Sequence, residues 1–260
     1  MRDGALPGRP GHRMVLLTGA GLSARAGLGT FRGPDGLWAL APEAEEAMHA
    51  ERLPGSLPML WRIWGEMASR ARAHGPTPGH LAAARLGARI ITQNIDGLHQ
   101  LAGSREVAEL HGSALRAVCL TDSCPWSAAV TPGHGDHARD HGAPDSCPLC
   151  GAPTRPDVVL FDELLPTDAL AAAERWTADC DLFVAVGTSG TVHPAARLVH
   201  RAAAHGATTV LIDVAPSAAA LAAGYDRVIV RDAHEVLPEW EARAAGRPRN
   251  PFLEPFGREG

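Results

Sequence analysis

The chain has 260 residues, 45% of them hydrophobic, enough to bury the core of one large domain or two unequal ones. Its formal charge of −5 lacks the basic excess expected of a nucleic-acid binder, and no apolar run approaches a membrane span. Five cysteines without an N-terminal apolar leader argue against a secreted disulfide framework and predict a cytoplasmic protein.

Residues 1–12, rich in Gly and Pro, read as an irregular arm. Met14 to Thr18 is a short apolar run that predicts a buried parallel strand, and it ends at Gly19-Ala20-Gly21-Leu22-Ser23. A glycine turn between a strand and a helix N-terminus lets a phosphate approach outward-pointing amides, although a bare tight turn reads the same way. Over 34–79 the composition shifts to Trp, Met, Glu and Pro. Leu60, Ile63, Trp64 and Met67, with Trp61, predict an amphipathic helical insert with its tryptophans in the core. A helix over His80–Leu86 then leads to a strand over Arg89–Thr92, which ends at Gln93-Asn94-Ile95-Asp96-Gly97-Leu98-His99. Asn94 and Asp96 lie two apart, so on an extended segment both side chains face one pocket; an Asx-rich turn is the alternative. A short strand-like stretch, Val107–Leu110, precedes His111-Gly112-Ser113.

Cys119, Cys124, Cys147 and Cys150 form two close pairs, a spacing that can close a tetrahedron around one Zn²⁺. Four protein ligands leave no open position, so such a site is structural. Cys180 stands apart and reads as an ordinary buried cysteine. Beyond the cysteines, Val158–Phe161, Asp181–Val186, Thr208–Ile212 and Arg227–Val230 are strand candidates separated by Ala-rich helical stretches. Strands alternating with helices predict an α/β fold, a Rossmann-like, mostly parallel sheet covered on both faces. The expected organisation is a discontinuous nucleotide-binding domain over 13–33, 80–112 and 157–245. A helical insert over 34–79, a zinc-ribbon insert over 113–156 and an irregular tail over 246–260 complete it. Gly187-Thr188-Ser189 and Asp213-Val214-Ala215 add two more polar strand ends, and a dinucleotide is the ligand that spans several such ends. A dehydrogenase is a poorer fit, because Ala24 breaks the Gly-x-Gly-x-x-Gly pattern and no acidic ribose ligand follows.

In order along the chain, several motifs resemble the sirtuin family of bacterial type. They are Gly19 to Ser23 with Thr30-Phe31-Arg32-Gly33, Thr92 to His99, Glu109-Leu110-His111-Gly112-Ser113, the four cysteines, and Val186 to Ser189 followed by Pro194-Ala195-Ala196. The resemblance implies an NAD-dependent protein-lysine deacylase with one structural zinc, releasing nicotinamide, O-acyl-ADP-ribose and the deacylated lysine. It makes His111 the general base, a role that suits an imidazole at neutral pH. It makes Asn94 the group that positions the nicotinamide ribose and a water, and Asp96 the group that holds the nicotinamide carboxamide. Arg32 is the phosphate-side arginine and Phe31 the ring that shields the reaction centre. Gly19, Ala20, Gly21, Ser23, Trp38, Gln93, Ile95, Gly187, Thr188, Ser189, Asp213, Val214, Ala215 and Ala233 are the remaining implied cofactor contacts. Val159, Phe161, Asp162, Trp64 and Met67 are implied to face the substrate.

Two departures from the family pattern bear on substrate. Phe161-Asp162-Glu163 replaces a common Phe-Gly-Glu in the loop expected to pair with the substrate backbone, adding a carboxylate where glycine is usual and predicting a preference for basic flanks. Thr30-Phe31-Arg32 resembles the branch that often removes succinyl or malonyl groups. That branch carries Tyr and Arg where this chain has Trp64 and Met67, and methionine cannot bind a carboxylate bidentately. Acetyl or a longer apolar acyl group is therefore expected over succinyl. The rival readings are mono-ADP-ribosyl transfer or NAD hydrolysis in the same pocket, and a non-catalytic NAD-binding or zinc-ribbon adaptor. The expected partners are acyl-lysine proteins, with no nucleic acid, no membrane and a monomeric enzyme.

Overall fold

The structure, a computed structural model, describes residues 13–30, 36–130 and 143–246. The implied contacts Phe31 and Arg32, the residues 1–12 and nearly all of the tail lie outside the described residues. Among those described, the strands are β1 (Met14–Thr18), β2 (Arg89–Thr92), β3 (Val107–Glu109), β4 (Gly112–Cys119), β5 (Ser127–Ala129), β6 (Thr154–Val158), β7 (Leu182–Val186), β8 (Thr208–Ile212) and β9 (Arg227–Ile229). The helices are α1 (Ala20–Ser23), α2 (Leu37–Leu40), α3 (Pro42–Glu46), α4 (Leu57–His74), α5 (Pro78–Arg85), α6 (Leu98–Leu101), α7 (Thr167–Ala178), α8 (Leu198–Ala204), α9 (Ala218–Ala222) and α10 (Ala233–Ala244).

Six strands form one parallel sheet in the order β3-β2-β1-β7-β8-β9. Its central strands are apolar without alternation because both faces are covered. Val15 and Leu17 of β1 and Phe183 and Ala185 of β7 pack with Ala173 of α7, Leu198 of α8 and Ala220 of α9. Leu16, Val184 and Val186 pack on the opposite face with Ala82 of α5 and Leu237 and Trp240 of α10. Helix α4 buries Leu60, Trp61, Trp64, Ala68 and Ala71 on one side, as the spacing of its apolar residues predicts.

The strand expected over Val158–Phe161 is not part of this sheet. Thr154–Val158 alternates buried and half-buried positions and pairs antiparallel with β4, giving a separate three-stranded sheet in the order β5-β4-β6. Pro156 is tolerated there because β6 is an edge strand. The apolar residues that suggested a parallel strand, Val158 and Leu160 with Phe161, instead pack under α4 beside Met48, Leu60 and Trp64. Val107–Glu109 takes the edge of the main sheet, bonded to β2.

Strand order reverses between β1 and β7, and there the carboxyl ends of the two strands touch through glycine. Gly19 N–H donates to the Val186 carbonyl at 3.1 Å and Gly21 N–H to the Gly187 carbonyl at 3.0 Å. A Cβ on Gly21 would lie 2.7 Å from the Gly187 Cα, and one on Gly187, whose φ is +57°, would lie 2.7 Å from Leu22 N. Backbone that close has no flexible atom to move aside. Gly187→Ala is therefore expected to cost at least about 2 kcal/mol in denaturant melts. Gly206→Ala, at φ +85° with no atom within 4 Å, carries only the conformational penalty of about 1 kcal/mol.

Candidate active site

The crevice beyond the carboxyl ends of β1, β2 and β7 is the place where open parallel sheets bind ligands. Its floor is a directed chain of hydrogen bonds. Asn94 Nδ2 donates to the Gly19 carbonyl at 3.0 Å and to Ser23 Oγ at 3.1 Å, and Ser23 Oγ donates to Asp96 Oδ2 at 2.6 Å. The Gly19 carbonyl can only accept, which fixes which end of the Asn94 amide is nitrogen. Ser23 Oγ thus accepts from Asn94 and donates to Asp96 Oδ2. Asp96 Oδ1 accepts from Leu98 N–H at 2.9 Å. Burial pushes the Asp96 carboxyl up from its ordinary range, while the bonds from Ser23 and Leu98 pull it back. With both amide protons of Asn94 committed, its Oδ1 is the group left to accept a bond from a ligand or water.

Residues not singled out by the sequence reading support this floor. Asn94 N–H donates to Thr92 Oγ1 at 3.0 Å, Thr18 Oγ1 donates to Thr92 Oγ1 at 2.9 Å, and His99 Nε2 lies 3.0 Å from Thr18 Oγ1. The available signal was that Thr18 and Thr92 both close buried strands and pair in register. Behind them His80 and His99 stand edge to face with centroids 4.7 Å apart. Burial, then the neighbouring His99 and His234, hold His80 down to about 2, and burial holds His99 at about 3, so both rings are neutral.

His111 sits where the main sheet meets the small one. Leu110 N–H bonds the Thr92 carbonyl, Ala114 N–H bonds the Ile95 carbonyl, and His111 Nδ1 lies 2.9 Å from the Gln93 carbonyl. A carbonyl accepts only, so Nδ1 carries the hydrogen and, in the neutral ring, Nε2 carries the lone pair. Burial lowers the His111 pKa, partly opposed by the bond to Gln93, and favours that neutral ring. Gly112, at φ +76°, follows because a Cβ there would lie 2.1 Å from the Asp157 carbonyl oxygen across the small sheet.

Six of the expected site residues line this crevice. Ala20, Ser23, Met67, Asn94, Ile95 and Asp96 line one cleft with Leu28 and Gly29. Gln93 Nε2 donates to Thr188 Oγ1 at 3.0 Å, joining the β2 end to the Gly187 turn. Ser189 lies two residues beyond that turn, its Oγ 2.8 Å from Thr191 Oγ1. Asp213, Val214 and Ala215 follow β8, where Asp213 Oδ1 accepts from Ala215 N–H at 2.8 Å and Val214 is exposed. Ala233 opens α10 and packs against the cluster that contains Leu22. The Trp38 ring lies 6.2 Å from that of Phe161. Trp64 is buried behind the cleft and packs with Phe161 in the same apolar cluster. Val159 N–H bonds the His111 carbonyl at 3.0 Å, so the 159–163 loop lies against the candidate base.

The four cysteine sulfurs lie within 4.8 Å of one another, with Cys119–Cys150 at 3.4 Å and Cys124–Cys147 at 3.6 Å. Zinc–sulfur bonds of about 2.3 Å place tetrahedral sulfurs about 3.8 Å apart, so the donor set fits Zn²⁺. Cys119 closes β4, eight residues after His111, so the cluster stands at the far end of that strand from the candidate base. The buried polar floor beside the glycine contact likewise fits the polar ends of a dinucleotide.

Comparison with known proteins agrees with this geometry. Residues 19–194 match the model of the Sir2 family. The chain is 43% identical over 231 residues to an NAD-dependent protein deacylase 2 of Pyrobaculum aerophilum, covering 86% of this chain and 88% of that one. It is 38% identical over 240 residues to an NAD-dependent protein deacylase 1 of Pseudomonas aeruginosa, covering 90% and 94%. A crystal structure of a Sir2 homologue bound to NAD superposes with a TM-score of 0.77 at 33% identity, covering 90% of each chain. With a family match over more than half its length and relatives this similar across most of theirs, the chain belongs to the Sir2 family.

Proposed function

We infer that the protein is an NAD-dependent protein-lysine deacylase, and that residues 13–33, 80–112 and 157–245 form its nucleotide-binding part. The observation that carries this reading is the buried chain Asn94–Ser23–Asp96 beside a histidine whose Nε2 is held as a free base. Bound in the crevice, NAD supplies an electrophilic ribose carbon and a nicotinamide leaving group. The chain's own residues do the rest. Gly19, Gly21 and Gly187 hold the ends of β1 and β7 together and so keep the crevice in place. Asp96, the acceptor at the end of its chain, favours a cationic ring and takes a bond from a carboxamide N–H. Asn94 Oδ1 orients a ribose hydroxyl or a water. His111 Nε2 removes a proton from a ribose hydroxyl and passes it on as water releases the lysine. In the same reading Arg32 and Phe31 serve the phosphates and the reaction centre, and the four cysteines hold structural zinc. The enzyme acts as a cytoplasmic monomer on acyl-lysine proteins, without nucleic-acid or membrane partners. No helix among the described residues is long and apolar enough to cross a membrane.

His111→Ala is expected to lower kcat/KM for acetyl-lysine peptide by about 10²–10⁴. Because His111 must be neutral and burial lowers its pKa, the acid limb of the wild-type kcat/KM profile should inflect below the ordinary histidine value of about 6.5 and vanish in the variant. Mass spectrometry of the products decides between O-acyl-ADP-ribose, which this reading requires, and ADP-ribosylated protein or free ADP-ribose, which would replace it with transfer or hydrolysis.

Met67 on the cleft wall and the Trp64 cluster behind it supply no cation for a distal carboxylate. Acetyl-lysine or a longer apolar acyl-lysine is expected to exceed succinyl-lysine in kcat/KM by about tenfold or more. Trp64→Tyr with Met67→Arg should narrow that gap, and a wild-type preference for succinyl would refute the apolar assignment. For the metal, a strong chelator should remove one zinc per chain and expose the β4 and β6 amides to hydrogen exchange. Cys147→Ser should do the same, while Cys180→Ser should leave the zinc content unchanged.

A further inference from the structure

We propose that Asp162 is a specificity determinant that draws acyl-lysine substrates carrying a Lys or Arg next to the modified lysine. The proposal deepens the deacylase reading and rests on it. Asp162 follows Phe161 on the loop that begins at Val159, and Val159 is bonded to the backbone of His111. Three residues of extended chain span about 10 Å, so a cationic side chain one or two positions from the reacting lysine has the reach to meet Asp162.

The loop is held from both sides, leaving this one carboxylate turned outward. Phe161 N–H bonds the Met48 carbonyl at 2.8 Å, and Ala50 N–H bonds the Phe161 carbonyl at 3.2 Å. Glu163, the neighbouring acid, faces inward. Its Oε2 accepts from Arg155 at 2.7 Å and from Leu160 N–H at 2.8 Å. Burial works against the Glu163 charge, but the Arg155 guanidinium holds its carboxyl below the usual range, so that charge is already compensated. Arg155 also bonds the Val158 carbonyl at 2.7 Å, fixing the start of the loop.

Asp162 is different. Its side chain is 76% exposed, and its φ of +72° is the one positive value among the described non-glycine residues. Asp and Asn are the non-glycine residues that tolerate this conformation best. Its neighbour in contact is His49 Nδ1, at 3.1 Å, and the His49 ring also lies 5.1 Å from that of Phe161. A half-exposed imidazole offers a hydrogen bond where Lys or Arg offers a fixed cation. The Asp162 carboxylate is thus left mostly exposed, where a cationic group of the substrate can meet it.

The test compares wild type, Asp162→Asn and Asp162→Gly on acetyl-lysine peptides that differ only in Lys, Ala or Glu at one position from −2 to +2. Asn keeps the shape and the backbone preference without the charge, and Gly removes the side chain altogether. In wild type the Lys-to-Ala ratio of kcat/KM at the most responsive position should be about threefold or more at low salt and fall at high salt. In both variants that ratio should approach one, and ratios within a variant cancel any common loss of activity or fold. A ratio retained in Asp162→Asn, or absent in wild type that turns over the neutral peptide, overturns this inference alone. Failure of wild type to turn over any acyl-lysine peptide overturns the deacylase reading and this inference with it.

Discussion

The site depends on backbone meeting backbone between Gly19 or Gly21 and Gly187. Parallel strands in register bring the ends of β1 and β7 level, but side chains on either turn would hold them apart. With hydrogen in place of Cβ, two amides of the first turn bond the end of β7 and the turn beyond it. That contact places Ala20 and Ser23 over β2, where Asn94 and Asp96 emerge. Strand order reverses at this junction, so chain leaves it in opposite directions and a groove opens between.

Once the turn is placed, electrostatics follows from hydrogen-bond direction. The Gly19 carbonyl orients the Asn94 amide, the amide orients the Ser23 hydroxyl, and the hydroxyl ends on Asp96. A buried polar chain of this kind is stable only when every member is satisfied, and here each donor has an acceptor. The neutral His80 and His99 behind it allow histidine to pack inside the protein without adding charge. His111 sits on a segment clasped to the 92–95 stretch by backbone bonds on either side.

Much of this was legible in the sequence where chemistry and element type coincide. The apolar runs at β1, β2, β7 and β8 are parallel strands, and polar residues follow each of them at the carboxyl end. The cysteine spacing matched a sulfur cluster that the structure brings together. What the sequence did not resolve was context. Val158, Leu160 and Phe161 are as apolar as a sheet strand but pack beneath α4, because Gly112 lets β6 cross β4 closely. Thr18 and Thr92 looked like ordinary strand residues, since a hydroxyl's partner depends on register across 74 residues. Trp38, expected as a cofactor contact, lies beside Phe161, a neighbour about 120 residues away that local sequence does not reveal.

Pairing of β1 with β7 joins segments whose salt bridge Arg13–Asp181 spans 168 residues of chain. Loop closure over such a distance comes late in folding, and parallel pairing is slow for the same entropic reason. On the ribosome the groove cannot exist until Gly187 has emerged. Until then β1 and β2 are apolar strands with a free edge where β7 will later bind. A nascent chain of this design offers that edge to other chains for most of its synthesis, so its yield in a cell depends on chaperone cover and translation rate as well as on the stability of the finished fold.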